Sequence, residues 1–438
     1  MKLVACEAVA QRLEGGRMST LQAVKGMNDI LPSEIAKWQR FETTFRDIAA
    51  RYAFSEIRTP IVEPTELFAR SIGQGTDIVQ KEMYTFVDKG EKSLTLRPEG
   101  TASTARAFMQ HRLGAQSPVN KLFYLGPMYR RERPAKGRYR QFFQAGAEWI
   151  GDDSAYADAE TVAFAHSLLD ALGIKEHRIL INSIGSNETR ANYRKALYDF
   201  LEPKTAQLSV DSQRRLELNP LRILDSKDPK DKALIGDAPS ILDFLGADDR
   251  EHFQQVQEAL TQLGIAFEIE TRLVRGLDYY NRSLFEIHAT AADLGSQSAV
   301  LGGGRYDGLL ETLGGKAAPA TGFATGIERM LLAMPNAETA PQIDVAVLVA
   351  EASLRGDALL LTERLRRAGM RVDADWRGLS LKSQLRRSDK LGAPFAVILG
   401  QREKENGVVQ LKSLKKHEQK DVGIEGLIPY LQSELESL

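Results

Sequence analysis

The sequence predicts an α+β domain with a mixed, mainly antiparallel sheet flanked by helices, a helical insertion within it, and a smaller α/β domain at the C-terminus. Three observations carry this. Residues 121–150 read as two strands around a polar loop. From about Asn187 to Phe253 the chain is helical and charged, without strand alternation. Beyond PNAETAPQ (335–342), strand-like and helix-like runs alternate in βαβαβ order, the pattern of an α/β domain.

Taken in order, residues 33–53 open with Ser33, a residue type that caps helices. They place Ile35, Trp38, Phe41, Phe45, Ile48 and Ala49 at helical spacing. EIRTPIVEP is extended, and Pro60 confines it to an edge strand. A helix feeding an edge strand with an exposed apolar face fits a subunit interface; an ordinary edge strand capped by a loop fits equally. KSLTLRPEGTASTARAFM reads as a strand (Leu94–Arg97) that turns at Pro98 into a helix. Residues 154–172 read as a helix, and HRILINSIG (177–185) as a strand. Strand character returns at Ala266–Val274, Tyr280–His288 and Ser298–Gly302, and Thr321–Ala333 joins a glycine-rich strand to a helix. The expected organisation is an extension (1–17), a main domain (18–334) with an insertion at about 187–258, a linker (335–342) and a second domain (343–438).

Composition narrows the function. The 438 residues are 43% hydrophobic and 27% charged, which fits a soluble globular protein of two or three domains. The formal net charge is −1, so any contact with phosphate or RNA must come from local clusters. The single cysteine, Cys6, excludes an internal disulfide and a thiolate zinc cluster, and a reducing cytoplasmic setting fits. The six histidines are scattered without metal-ligand spacing, so no resident metal is expected. No apolar run reaches the length of a membrane span. Near the start, Glu7 interrupts a run too short for a signal segment. MSTLQAVKGMNDILPSE, from Met18, reads as the native N-terminus, which leaves residues 1–17 as an extension without function.

The hairpin at 121–150 is the most informative segment. Side chains two apart share a strand face. Arg140, Phe142, Gln144, Gly146 and Glu148 fall on one face, and Phe143, Ala145, Ala147 and Trp149 on the other. The second face is apolar and expects helices. The first is either a solvated sheet face or a ligand site, with Gly146 leaving room for a ligand and Phe142 offering a stacking plane. Arg130, Arg131, Arg133, Lys136, Arg138 and Arg140 lie within eleven residues, opposed only by Glu132. Guanidinium forks at a hairpin tip suit bidentate phosphate contacts, and the same loop suits the end of an RNA. No Gly-x-x-x-x-Gly-Lys-[Ser/Thr] loop is present, and GGGR (302–305) lacks the strand–helix setting of a dinucleotide fingerprint.

These residues resemble a known family. GPMYRRERPAKGRYRQFFQAGAEWIG resembles motif 2 of class II aminoacyl-tRNA synthetases, TGFATGIERMLL (321–332) motif 3, and the element ending near Pro60 motif 1. LVRGLDYYNRSLFEI (273–287), LGGGRYDGL (301–309) and TLRPEGTA (95–102) resemble segments of the histidyl-tRNA synthetase family. The resemblance runs from about Met18 to the C-terminus. It implies a class II catalytic domain and an anticodon-binding α/β domain. The implied reaction converts L-histidine and ATP, with Mg2+ accompanying the ATP, to histidyl-adenylate, and then transfers histidine to the 3′ end of histidine tRNA. A homodimer is also implied.

By the same resemblance, Arg130 binds the α-phosphate, Arg138 the distal phosphates, and Arg329 is the motif 3 arginine, with Glu132 and Phe142 completing the ATP set. Arg275 matches an arginine characteristic of this family that neutralises the α-phosphate; Gly276 after it marks a turn that aims it inward. Arg275, Arg130 and Arg329 are thus the implied catalytic residues. Glu99, Thr101 and Gln144 match groups that hold the substrate ammonium, although Glu99 is also placed as a carboxylate favoured at a helix start. Glu148, Tyr280 and Tyr306, with Tyr279 beside them, match groups around the imidazole. A carboxylate and a phenol each pair with a ring nitrogen, and such a site rejects apolar analogues by about 10⁴–10⁵. Gly302, Gly303 and Gly304 are expected to allow close backbone approach to the ligand.

One departure stands out. Many bacterial members carry glutamine after the Arg-Pro of the motif 2 loop, where this chain has Ala135 after Pro134. That side chain is associated with the tRNA acceptor end, and Arg133 or Arg140 are the candidates to replace it. Anticodon bases are expected to be read by edge contacts and stacking on the second domain, with an affinity that falls as salt rises. Two rivals remain at this point. One is a non-catalytic, histidine-binding paralogue that serves as regulatory subunit of ATP phosphoribosyltransferase. The other is a different class II synthetase, which leaves RGLDYY and GGGRYDGL unexplained. Against the first, the chain continues past the linker and retains Arg130, Arg275 and Arg329.

Overall fold

The structure, a computed structural model, describes residues 20–73, 76–290, 294, 298–336 and 343–437. The expected extension 1–17, and 337–342 of the expected linker, lie outside them. The chain divides into two compact units, Met1–Asn336 and Ala337–Leu438.

In the first unit, α1 (Pro32–Arg51) buries Trp38, Phe41, Phe45, Ile48 and Ala49 on one face. Phe41, Phe45 and Ile48 each contribute roughly 1.5–3 kcal/mol when fully buried. Ser33 is not its cap. Leu31 holds that position and Pro32 occupies the first turn, where a missing N–H and a preset φ favour proline. The segment expected as one edge strand is split around Pro60 into β1 (Ser55–Glu56) and β2 (Val62–Pro64). After α2 (Thr65–Ser71), β3 (Tyr84–Val87) and β4 (Ser93–Leu96) join β2 in a small antiparallel sheet.

The main elements follow: α3 (Thr101–Gln110), β5 (Asn120–Tyr129), β6 (Gln141–Ile150), α4 (Ala155–Leu172) and β7 (His177–Ser183). Ser154 caps α4 by accepting from the Ala157 N–H, and Gly173 ends it at φ 78°, a left-handed cap that glycine adopts without strain. The helical stretch contains α5 (Asn187–Leu201), α6 (Val210–Leu218), α7 (Pro229–Ile235) and α8 (Ala247–Gln262). Its interior joins Tyr193, Leu197, Leu216 and Ile223 to Tyr280, Tyr306 and Leu309 below the site. Phe253, Val256 and Leu260 of α8 instead pack in the main core with α1 and α4. The stretch expected to end near residue 258 therefore ends inside a helix that covers the sheet.

Only β8 (Glu268–Ile269) forms where a strand over Ala266–Val274 is expected; the rest turns, with the Leu273 N–H on the Glu270 carbonyl at 2.9 Å. The unit closes with β9 (Asn281–Ala289), β10 (Ala299–Arg305), β11 (Ala320–Gly326) and α9 (Ile327–Ala333). Among the described residues the large sheet has eight strands in the order β1-β5-β6-β11-β10-β9-β7-β8. The outer pairs β1/β5 and β7/β8 are parallel and the others antiparallel. This is the mixed, mainly antiparallel sheet the sequence predicts.

The second unit contains β12 (Val345–Val349), α10 (Arg355–Arg367), β13 (Val372–Ala374), α11 (Leu381–Lys390) and β14 (Phe395–Leu399), then β15 (Val408–Ser413), β16 (Gln419–Gly423) and α12 (Leu427–Glu436). The βαβαβ half is parallel, and an antiparallel hairpin extends it to the order β13-β12-β14-β15-β16. Among the described residues, no helix is long and apolar enough to cross a membrane.

Candidate active site

The hairpin pairs without interruption from Asn120↔Ile150 to Tyr129↔Gln141. As its parity requires, Ala145, Ala147 and Trp149 enter the main core. On the opposite face a cleft of about 400 Å³ opens. It gathers Glu99 and Thr101 from the start of α3, Arg130, Glu132 and Arg138 from the hairpin loop, and Phe142 and Gln144 from β6. Arg275, Tyr279 and Tyr280 enter from the turn before β9, and Arg329 from α9. Glu148 and Tyr306 are buried and join this group through Thr101. Arg133 and Arg140 do not line the cleft. Arg133 is exposed. Arg140 is held at the base of the loop, its N–H on the Gly26 carbonyl at 2.7 Å and its guanidinium near the carbonyls of Lys25 and Glu132.

At the inner end, the Glu148 carboxyl accepts from Thr101 Oγ1 at 2.7 Å and from the Tyr306 hydroxyl. Burial pushes Glu148 up to about 8, against the pull of these two hydroxyls. A carboxyl poised this way accepts from or donates to a ring nitrogen. Glu99 accepts from the N–H groups of Thr101 and Ala102 at 2.7 and 2.9 Å, so it serves the start of α3 as well as facing the cleft. Burial raises its pKa, and those backbone bonds oppose the rise. Gln144 Oε1 accepts from the Gly100 N–H at 3.2 Å.

At the outer end, Arg130 donates from Nε to the Pro98 carbonyl at 2.9 Å and lies over the Phe142 ring, 5.3 Å from its centroid. Phe142 thus supports an arginine on one of its faces. Glu132 pairs with both Arg130 (3.7 Å) and Arg138 (3.6 Å). Arg329 donates from a terminal nitrogen to the Ala299 carbonyl at 2.9 Å; burial lowers its pKa, and the charge of Arg138 adds to this. Arg275 pairs with Glu286, which also meets His288 Nε2 at 2.9 Å, and His288 Nδ1 in turn meets Ser298 Oγ at 2.8 Å. Burial disfavours the Arg275 charge, but Glu286, together with Tyr280 and Tyr279, more than restores it.

Two expectations about glycines are corrected. Gly146 leaves no room for a ligand: a side chain there would overlap the ring of Tyr124, which also lies against Gly100. Gly302 lines the cleft and also makes room for the Arg275 guanidinium, whereas Gly303 makes room for Gly322 and Phe323 of β11 and Gly304 for Ser283 and Leu284 of β9, rather than for a ligand.

Sequence reasoning missed Tyr124, Glu286 and Asp225. Tyr124 stands directly across the hairpin from Gly146, a pairing that counting outward from the loop would have found. Glu286 and Asp225 line the cleft, the former paired with Arg275 across the turn before β9 and the latter carried from the helical stretch. Among the described residues, no group of three or more His, Cys, Asp or Glu is arranged to hold a metal ion. The cleft therefore combines a buried carboxyl flanked by hydroxyls with a cluster of four arginines. Such an arrangement can orient a small polar molecule against a polyphosphate and stabilise charge that develops between them.

Comparison with known proteins agrees with this arrangement. Residues 26–330 match the family described as histidyl-tRNA synthetase, and residues 342–434 match the anticodon binding domain. The histidine–tRNA ligase of Sorangium cellulosum is 50% identical over 406 residues, which are 93% of this chain and 95% of that protein. That of Synechococcus elongatus is 49% identical over 404 residues, 92% of each. The crystal structure of apo S. aureus histidyl-tRNA synthetase superposes with a TM-score of 0.80 at 34% identity, covering 94% of this chain and all of that one. The chain belongs to the histidyl-tRNA synthetase family.

Proposed function

We propose that this protein is a histidine–tRNA ligase, an aminoacyl-tRNA synthetase that activates L-histidine with ATP and esterifies histidine tRNA. The observation that carries the reading is one cleft with two chemistries: Thr101 at the inner end, backed by the buried Glu148 and Tyr306, and Arg130, Arg138, Arg275 and Arg329 at the outer. In the first step a carboxylate oxygen of histidine attacks the α-phosphorus. The new O–P bond forms as the bond to the β-phosphate oxygen breaks, and pyrophosphate leaves. Arg275 and Arg130 neutralise the α-phosphate, while Arg138 and Arg329 hold the distal phosphates. In the second step the terminal ribose hydroxyl of the tRNA attacks the histidyl carbonyl and AMP leaves. Positioning and charge stabilisation supply the rate.

Glu148 and Tyr306, with Tyr280 beside them, recognise the imidazole; Glu99, Thr101 and Gln144 face the ammonium. Magnesium enters on ATP itself. Of the cleft carboxylates, Glu132 is engaged by Arg130 and Arg138, and Glu286 by Arg275 and His288. The exposed Arg133 reaches for the acceptor end while Arg140 braces the loop, and the second unit binds the anticodon. Exposed Val62, Phe86 and Val87 on the small sheet support a homodimer, and the setting is cytoplasmic. The arginine cluster disfavours the regulatory paralogue, which binds histidine without activating it. ATP–pyrophosphate exchange with each of the twenty amino acids tests the reading. Exchange with histidine alone is expected; exchange with none removes the enzyme, and exchange with another amino acid removes the substrate.

A further inference from the structure

The tyrosines at the inner end of the cleft are flanked in sequence by polar residues that reach the helices behind the sheet. Neighbouring residues on an extended chain face opposite ways, so each tyrosine is held by its neighbours. Tyr306 stands between Arg305 and Asp307. Arg305 is fully buried. It meets the two Asp158 oxygens at 3.1 and 2.8 Å, the carbonyls of Asp152 and Ser154 at 3.0 and 2.9 Å, and Asp307 Oδ1 at 3.1 Å. Tyr280 is followed by Asn281, whose amide donates to Asp307 Oδ2 at 2.9 Å and accepts from the Asp307 N–H at 2.9 Å.

Behind this layer, Asp158 of α4 also meets His252 Nε2 of α8 at 2.8 Å. Arg282 approaches His252 Nδ1 at 3.5 Å and Asp249 at 3.3 Å. The Nε2–H tautomer of His252 satisfies both of its contacts. Burial opposes the Asp158 charge, but Arg305 and His252 bring its pKa down to about 2. A buried ion pair is a poor source of net stability compared with apolar packing; what it fixes well is orientation.

We propose that Asp158, backed by His252, is a positioning residue for amino-acid recognition: it locks Arg305 and thereby aims the Tyr306 hydroxyl at Glu148. This rests on the histidine-ligase reading above. It gives His252, which stands outside every motif in the sequence, a place in substrate selection through two intermediaries.

The test is a double-mutant cycle in ATP–pyrophosphate exchange, with histidine binding measured in parallel by calorimetry. Asp158→Asn is expected to raise the KM and Kd for histidine about tenfold, while kcat and the KM for ATP change by less than about twofold. In a Tyr306→Phe background the same substitution should add less than about twofold, because the hydroxyl it aims is gone. His252→Leu should shift the histidine KM in the same direction, and His252→Gln, which keeps a donor toward Asp158, should restore it. If Asp158→Asn does not fold, the His252 pair decides alone. A full tenfold effect persisting without the Tyr306 hydroxyl, an equal rise in the KM for ATP, or no difference between His252→Leu and His252→Gln overturns the proposal. With wild-type exchange intact, those outcomes remove only this inference; absence of histidine-dependent exchange and binding in the wild type removes the functional reading and the inference together.

Discussion

Replacing Glu148 by glutamine should make the protein more stable at alkaline pH while damaging its function. Burial moves the Glu148 carboxyl from its ordinary 4.5 to about 8. The folded protein therefore holds a proton that the unfolded chain releases between those values. The folded pKa is raised, so this contribution is fully present below about pH 4.5 and is lost as pH rises through about 8. At about 1.4 kcal/mol per pH decade, the displacement corresponds to on the order of 5 kcal/mol well above pH 8. Glutamine has nearly the same shape, cannot ionise, and keeps an oxygen to accept from Thr101 or Tyr306. Urea unfolding at pH 5, 7 and 9, following the transition of the first unit, reads the difference. The variant should match wild type near pH 5 and exceed it by several kcal/mol at pH 9. In exchange assays the same variant should raise the histidine KM roughly 10–100-fold, the cost of leaving a buried polar group without its matched partner. Parallel pH dependences for the two proteins would refute the argument that the carboxyl is held protonated by burial.

Two further outcomes follow from the outer end of the cleft. Arg275→Ala should lower the exchange rate by about 10²–10³, the usual size of one preorganised charge-stabilising group, while histidine binding by calorimetry stays within about threefold; equal loss of both would mean that the arginine holds the pocket rather than the transition state. Gly302→Ala should reproduce the loss of exchange with a stability change of about 1–3 kcal/mol, because the added methyl falls on the Arg275 guanidinium; an active Gly302→Ala variant would show that the glycine is not there to seat Arg275.

Local pattern made the hairpin legible, because a period of two and a charge-dense loop need only neighbouring residues. Parity alone put Phe142, Gln144 and Glu148 on one face and Ala145, Ala147 and Trp149 on the other, and the structure keeps that division. Arg275 was legible only through resemblance, since its seat under Gly302 joins a turn to a strand more than twenty residues away. Sequence distance likewise hid Asp225, whereas Glu286, 11 residues from Arg275, was hidden by the turn between them. At the start of α1, Ser33 and Pro32 both signal a helix, and the ring constraint of the proline sets the first turn. Residues 266–274 are apolar enough for a strand, but only Glu268 and Ile269 find a partner, β7. Helical periodicity identified the stretch from Asn187 onward without revealing that α8 serves the main core, because amphipathicity shows that a face is buried and not against what.

The ring of Tyr124, wedged against Gly100 and Gly146, also constrains how this pocket can change over generations. Any side chain at either glycine collides with the ring, so those two positions are closed to single substitutions as long as Tyr124 stays. A smaller residue at 124 lifts both restrictions at once. The three positions are therefore inherited as a unit: variants that reshape the amino-acid end must pass through position 124 first, and a substitution harmful on its own becomes acceptable only after that step.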